Sequence, residues 1–186
     1  MTDKSQLRAS IRARRAAFVA ALAPAERARC HTALPSPLAR LIGPGRCVAA
    51  YRAKGAEADP ANLLERAAEL GAATALAWTG APVQPLRFLG WSPGEPLEIG
   101  PYGIEQPPGD RPVVRPDIIL VPLLAFDAAL NRLGQGAGYY DRTLAAHDAA
   151  LAVGIAWSVQ QVDEVPVDAW DRPLDAVITE KSWICA

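Results

Sequence analysis

Apolar and polar positions along this chain follow two rhythms. In residues 3–22, Leu7, Ile11, Phe18 and Leu22 recur at helical spacing. Asp3 stands before them and Gln6 follows three positions later, the pattern of a capping box. The spacing predicts an amphipathic helix over 3–22. Pro24 suits a first helical position, so a second helix is expected from Pro24 to about Ala33. Leu34-Pro35-Ser36-Pro37 breaks that pattern, and residues 38–42 read as another helical turn or two before Gly43-Pro44-Gly45.

The second rhythm is that of buried strands. Residues 47–51, 73–78, 118–121 and 151–156 are short apolar runs bounded by turn residues. Val177-Ile178-Thr179 reads as a final short strand. Between the first two runs, Asp59-Pro60 starts a helix that extends to Leu70, with Gly71 as its stop. A helix-like run, Thr143-Leu144-Ala145-Ala146, separates the last two long strands. Strands alternating with helices predict a three-layer α/β/α domain with a central, largely parallel sheet, as a single domain over residues 1–186. Residues 79–116 keep no clean period and are rich in proline. A wholly irregular connection of that length is unusual in a compact domain, so residues 86–89 are expected to form a short strand and residues 103–108 a tight loop.

Composition fits this picture. Hydrophobic residues make up 51% and charged residues 21% of 186, enough for one well-buried core. The formal net charge of −1 gives nucleic acid no general attraction. No run approaches the length of a membrane span, and residues 1–6 lack an apolar signal core. Cys30, Cys47 and Cys185 are odd in number and far apart, which fits a reduced, cytoplasmic protein. A cytoplasmic monomer is the expectation. His31 and His147 are too few for a histidine-rich metal centre, and both are expected at the surface.

The chemistry concentrates in residues 131–142, Asn-Arg-Leu-Gly-Gln-Gly-Ala-Gly-Tyr-Tyr-Asp-Arg, between a strand and a helix. Glycines at 134, 136 and 138 leave little side-chain bulk, and successive backbone N–H groups can curl into a nest that binds an anion. The helix start adds unpaired donors, and Arg132 can neutralise a phosphate. The loop is neither a Walker A nor a Rossmann fingerprint. It reads either as a tight turn or as a phosphate site. Asp141, in the first helical turn, is either a partner of the helix dipole or a ligand for Mg²⁺ shared with a phosphate. Lys4, Arg8, Arg12 and Arg15 form a basic stripe on the first helix, read as a solvated face or as one turned to an anion. Glu57 lies just beyond the first strand, where open α/β sheets bind ligands, and reads as a plain loop carboxylate or a ligand contact. Trp91 and Tyr102 could line a flat ring or simply pack. Asp127 is expected to pin a turn.

Leu124-Ala125-Phe126-Asp127 followed by residues 131–142 resembles the signature of the 5-formyltetrahydrofolate cyclo-ligase family, also called methenyltetrahydrofolate synthetase. The resemblance implies the same fold class and an ATP-dependent reaction. In it, 5-formyltetrahydrofolate closes to 5,10-methenyltetrahydrofolate with release of ADP and phosphate. ATP and Mg²⁺ are the implied cofactors and the folate the implied small-molecule partner.

The same resemblance implies residue roles. Lys4-Ser5-Gln6-Leu7-Arg8 is similar to the family's Lys-x-x-Leu-Arg, whose Lys reaches the nucleotide phosphates and whose Arg lies near both ligands. Arg132, Leu133, Gly134, Gln135, Gly136, Ala137, Gly138, Tyr139 and Tyr140 would hold ATP. Arg132, Tyr139 and Lys4 would act in the chemistry. Glu57 would accept hydrogen bonds from the pterin, with Arg8 and Tyr139 completing the folate site. Asp141 and Asp171 would hold the metal. Gln160 matches a Gln that follows the penultimate strand. Gln135 and Ala137 stand where many members have Lys, Arg or Gly, and Trp170 stands where His is frequent. Glu105 is one position out of the family's Gly-Ile-x-Glu-Pro and receives no role. Two rival readings are a sugar-phosphate enzyme that uses the loop without ATP, and a non-catalytic folate- or nucleotide-binding regulator.

Overall fold

Along each long apolar run, alternate side chains enter opposite cores, and this makes the runs strands in a sheet covered on both faces. The computed structural model describes residues 3–80, 84–168 and 171–185. In chain order the first elements are α1 (Lys4–Ala21), α2 (Pro24–Arg29), α3 (Ser36–Ala39), β1 (Cys47–Ala50), α4 (Ala61–Glu69), β2 (Ala73–Trp78) and β3 (Arg87–Gly90). Then follow β4 (Glu98–Ile99), β5 (Glu105–Gln106), β6 (Val113–Val114), β7 (Ile118–Pro122), β8 (Ala125–Phe126) and β9 (Arg132–Leu133). The chain closes with α5 (Tyr139–Ala146), β10 (Leu151–Ile155), β11 (Ala176–Ile178) and β12 (Trp183–Cys185).

Eight strands form one sheet in the order β12-β11-β10-β7-β1-β2-β3-β6. The central strands from β11 to β2 are parallel, and the edges are antiparallel. Val48, Ala50, Leu120, Val153 and Ile155 pack on one face with Leu38, Leu63, Leu64 and Ala67 from α3 and α4, and with Val19 from α1. Ala49, Ile119, Val121 and Ala152 pack on the other with Leu144 of α5, Phe88 and Phe126. The expected layers and mostly parallel sheet are therefore present. Burial of the Val, Leu, Ile and Phe side chains, at about 1.5–3 kcal/mol each, is the main force holding the layers.

Several local expectations change. The second helix stops at Arg29, because Cys30 turns extended and His31 takes a left-handed φ of 54°. His31 is not at the surface. It is buried, with Nε2 2.9 Å from the Ala156 carbonyl oxygen and its ring edge-on to Trp157, and burial lowers its pKa. His147 is half-buried against Phe88, and desolvation lowers its pKa too. The strand at 176–178 is not the last one, since β12 returns antiparallel beside it. Residues 79–116 supply two more strands of the sheet, β3 and β6, and the small β4–β5 ribbon. Trp170 lies outside the described residues.

β1 sits at the turning point of the topology. From it the chain builds outward through β2 to β3, then returns to β7 on its other side and builds outward again to β10. The C-terminal ends of strands flanking such a switch point form a crevice, the usual ligand site in open α/β sheets.

Candidate active site

A cavity of about 300 Å³ occupies that crevice. Tyr51, Arg52 and Glu57 line it from the end of β1, Ala77 and Thr79 from the end of β2, and Pro122 from the end of β7. Gly134, Gln135, Ala137, Gly138, Tyr139, Tyr140 and Asp141 form the facing wall. Tyr102, Ile104 and Gln106 close it from the β4–β5 region.

The glycine wall begins at the β8–β9 hairpin. Asp127 fixes this hairpin as expected: its carboxylate accepts from the N–H groups of Ala129 and Asn131 (3.0 Å each), from Asn131 Nδ2 (3.0 Å) and from the Val165 N–H (3.0 Å). Leu133 turns into the core with Ile11, Ala125 and Val165, so its side chain anchors the loop and does not face the cavity. Gly138 then precedes α5 with φ 68°, and a Cβ there would lie 2.7 Å from Arg142 Nη1. Only glycine meets both conditions without strain. Arg142, which carries no role in the sequence reading, donates to the Ala137 carbonyl (3.1 Å) and lies over the Tyr139 ring.

Arg132 is not an open guanidinium at the loop mouth. Its side chain is only 4% exposed and is paired with Asp141 Oδ1. Its Nε is buried without a hydrogen-bond partner among the described residues, as is the Tyr140 hydroxyl. Both residues line the cavity, and leaving such groups unpaired is costly, so a polar ligand that supplies partners fits this wall. Burial pushes the Tyr140 phenol well above its ordinary pKa, keeping it a neutral donor.

The stripe on α1 is not merely solvated. Arg8 Nε donates to the Gly134 carbonyl (3.0 Å), and Arg12 Nη2 donates to the Gln135 carbonyl (3.1 Å) and side-chain oxygen (3.2 Å). Arg15 is buried. Lys4 lies elsewhere: its Nζ donates to Asp168 Oδ2 (2.6 Å) and Asp171 Oδ2 (3.2 Å). Desolvation opposes the Lys4 charge, but the bonds to both carboxylates outweigh it and raise the pKa. Lys4, Arg8, Gly136 and Asp171 are not among the residues that line the cavity.

Glu57 faces the glycine wall. Its Oε1 accepts from Gln135 Nε2 (3.1 Å) and its Oε2 from the Lys54 N–H (2.9 Å). Tyr102 and Tyr139 meet across the mouth, hydroxyl to hydroxyl at 3.2 Å, and this bond raises the Tyr139 pKa. Trp91 packs in the core instead. Glu105 pairs with Arg52 (2.7 Å), and it is Gln106 that is buried at the cavity, with Oε1 accepting from the Thr79 N–H (3.2 Å). Gln160 is structural: it donates to the Leu123 and Leu124 carbonyls (2.8 and 3.0 Å).

For a divalent cation, Asp141 is the suitable residue. It lines the cavity, its side chain is 40% exposed, and its pairing with Arg132 uses Oδ1. Asp171 is engaged by Lys4 and by the Asp168 N–H (2.8 Å), so a metal there requires Lys4 to move. Among the described residues no group of three or more His, Cys, Asp or Glu is arranged around one point. Mg²⁺ needs fewer, because it keeps waters and takes phosphate oxygens alongside one or two carboxylates. Asp141 fits that requirement.

A glycine loop opening a helix beside a switch-point crevice defines an α/β fold built for a small anionic ligand. The chain belongs to the 5-formyltetrahydrofolate cyclo-ligase family, whose model matches residues 1–180. It is 35% identical to the 5-formyltetrahydrofolate cyclo-ligase of Mycolicibacterium smegmatis, over 99% of this chain and 97% of that protein. The Escherichia coli K12 protein of the same name is 41% identical over 105 residues, 53% of this chain and 58% of that protein. The solved structure of Aquifex aeolicus 5,10-methenyltetrahydrofolate synthetase aligns with a TM-score of 0.76 at 31% identity, covering 98% of this chain and 92% of that one. The family acts on a folate, and no described helix is long and apolar enough to cross a membrane.

Proposed function

We propose that this protein closes 5-formyltetrahydrofolate to 5,10-methenyltetrahydrofolate, using ATP and Mg²⁺ and releasing ADP and phosphate. The observation that carries the reading is the meeting, in one cavity, of the glycine loop with Glu57 from 78 positions away. One wall suits phosphates and the other suits a flat ring with N–H donors. Family membership supports a folate as one of the pair, and a nucleotide is the phosphate ligand we assign to the other wall.

The reaction needs a poor leaving group made better. The formyl oxygen attacks the γ-phosphorus, the bond to the β-phosphate oxygen breaks, and ADP leaves. N10 then bonds to the formyl carbon and gives up its proton, and the phosphorylated oxygen departs as phosphate. Such transfers depend mostly on positioning and charge stabilisation. Arg132 and the backbone of residues 133–140 hold the triphosphate at the start of α5, whose dipole favours anions. Lys4 and Arg8 offset charge from α1. Glu57 accepts N–H bonds from the pterin, and Tyr139 covers it. Asp141 would hold Mg²⁺, with Asp171 joining it once Lys4 moves off that carboxylate, and the ion would offset phosphate charge. Residues 1–186 act as one domain, and the enzyme works as a cytoplasmic monomer.

The test is to mix the purified protein with Mg-ATP and 5-formyltetrahydrofolate and follow near-ultraviolet absorbance. ATP-dependent appearance of methenyltetrahydrofolate is the expected result. No product from folded protein that still binds both ligands would point to a regulator instead. No ATP turnover at all would redirect the search to phosphorylated substrates.

A further inference from the structure

Gln135 joins the two walls of the cavity, and neither proposed ligand needs it to do so. Its Nε2 donates to Glu57 Oε1 at 3.1 Å, while its Oε1 accepts from Arg12 Nη2 at 3.2 Å. Its main-chain oxygen accepts from the same guanidinium at 3.1 Å. One turn earlier on α1, Arg8 Nε holds the Gly134 carbonyl at 3.0 Å. The second oxygen of Glu57 takes the Lys54 N–H at 2.9 Å. Both oxygens of the carboxylate are therefore engaged, one of them by the glycine loop. A carboxamide suits the middle of this chain because it donates on one side and accepts on the other.

We infer that Arg12, Gln135 and Glu57 form a latch that couples the nucleotide wall to the folate wall, so that a bound triphosphate frees Glu57 for the pterin. This rests on the reading given under the proposed function. Arg12 is exposed, and among the described residues its hydrogen bonds go only to neutral oxygens, the weaker class of acceptor. A triphosphate on the loop offers charged oxygens instead and draws both Arg8 and Arg12. Gln135 then loses one side of its support and releases Glu57 Oε1. Nucleotide thus tightens folate binding, and by linkage folate tightens nucleotide binding by the same factor.

The test is calorimetric titration of 5-formyltetrahydrofolate into the full chain, with and without a non-hydrolysable ATP analogue and Mg²⁺. It compares wild type, Gln135→Ala and Arg12→Ala. Exchange of the Lys54 amide hydrogen, read by NMR, accompanies it. Wild type should bind the folate about fivefold more tightly with the analogue, the effect of one modest hydrogen bond. In Gln135→Ala the nucleotide-free affinity should rise about fivefold, the coupling should fall to about one, and Lys54 should exchange faster. Arg12→Ala should move affinity and coupling in the same directions by less, since the loop keeps its Arg8 contact. Unchanged nucleotide-free affinity or unchanged coupling in Gln135→Ala overturns the latch. So does an equal loss of folate affinity in both states, which would make Gln135 a support for Glu57. If wild type binds neither ligand, the functional reading fails, and Lys54 exchange still judges the link: no change in Gln135→Ala overturns it, and acceleration upholds it.

Discussion

The two walls of the cavity are built by opposite means. The glycine wall is contiguous: residues 134–141 follow β9 directly, and local rules fix their path. Gly138 sits at positive φ, Asp127 pins the hairpin behind it, and Arg142 grips the loop from the following helix. The facing wall is assembled from distant parts. Tyr51 and Glu57 follow β1, Thr79 follows β2, and Tyr102 and Gln106 arrive from the ribbon region. The first wall carries Arg132 with Asp141, while the second mixes Tyr51 and Tyr102 with Glu57, Thr79, Gln106 and small apolar side chains. Local sequence can specify where an anion binds, but a surface for a broad ring needs the tertiary fold.

If the walls are separate in function, substitutions should divide the two ligands. Arg132→Ala should have the largest effect. The guanidinium is buried in the cavity wall, and its loss removes a positioned charge where phosphate charge is to be held. Turnover per KM for ATP should fall about a hundredfold, in the range for losing one electrostatic group in an active site. Folate affinity measured without nucleotide should change by less than about threefold, about the size of one modest hydrogen bond. Steady-state kinetics with calorimetry checks both. Equal losses for both ligands would dissolve the distinction between the walls.

Glu57→Gln should give the converse and smaller result. The change keeps the shape and removes the charge. Hydrogen bonds to charged groups are worth about 1.5–3 kcal/mol, so the folate should bind at least about tenfold more weakly. ATP affinity measured alone should stay within about twofold, because among the described residues Glu57 hydrogen-bonds to the glycine wall through Gln135. A larger loss for ATP than for folate would assign Glu57 to the other wall.

This difference also explains what the chain made legible. The buried strands, the layers and the glycine loop follow from periodicity and from glycine chemistry, which act over a few residues. Gln106 and Arg142 escaped because their importance is positional. β4, β5 and β6 are two residues each, too short for any period to show, so the ribbon that brings Tyr102 and Gln106 to the cavity could not be read. His31 looked like a surface residue because nothing nearby announces burial; the packing of Trp157 against it does that. Lys4 rests on Asp168 and Asp171, an attachment between residues more than 160 positions apart that no local pattern announces.

The smallest expected effect lies where the walls touch. Tyr102 has a left-handed φ of 62° and is largely exposed; Lys54 Nζ donates to its carbonyl, and its hydroxyl meets that of Tyr139 at 3.2 Å. A hydrogen bond between two neutral, exposed groups is worth about 0.5 kcal/mol, so Tyr102→Phe should raise the KM for folate only about twofold and leave kcat unchanged. A second readout isolates the contact. Because the bond to Tyr102 is the first cause of the raised Tyr139 pKa, its removal should lower the alkaline titration midpoint of one tyrosine, followed by ultraviolet absorbance. If the midpoint falls while KM barely moves, the mouth is a soft seam, and coupling between the walls runs through Gln135 and Glu57 instead. A loss above about tenfold would exceed what this bond can supply and would mean that Tyr102 holds the glycine wall in place, so that the two walls work as one.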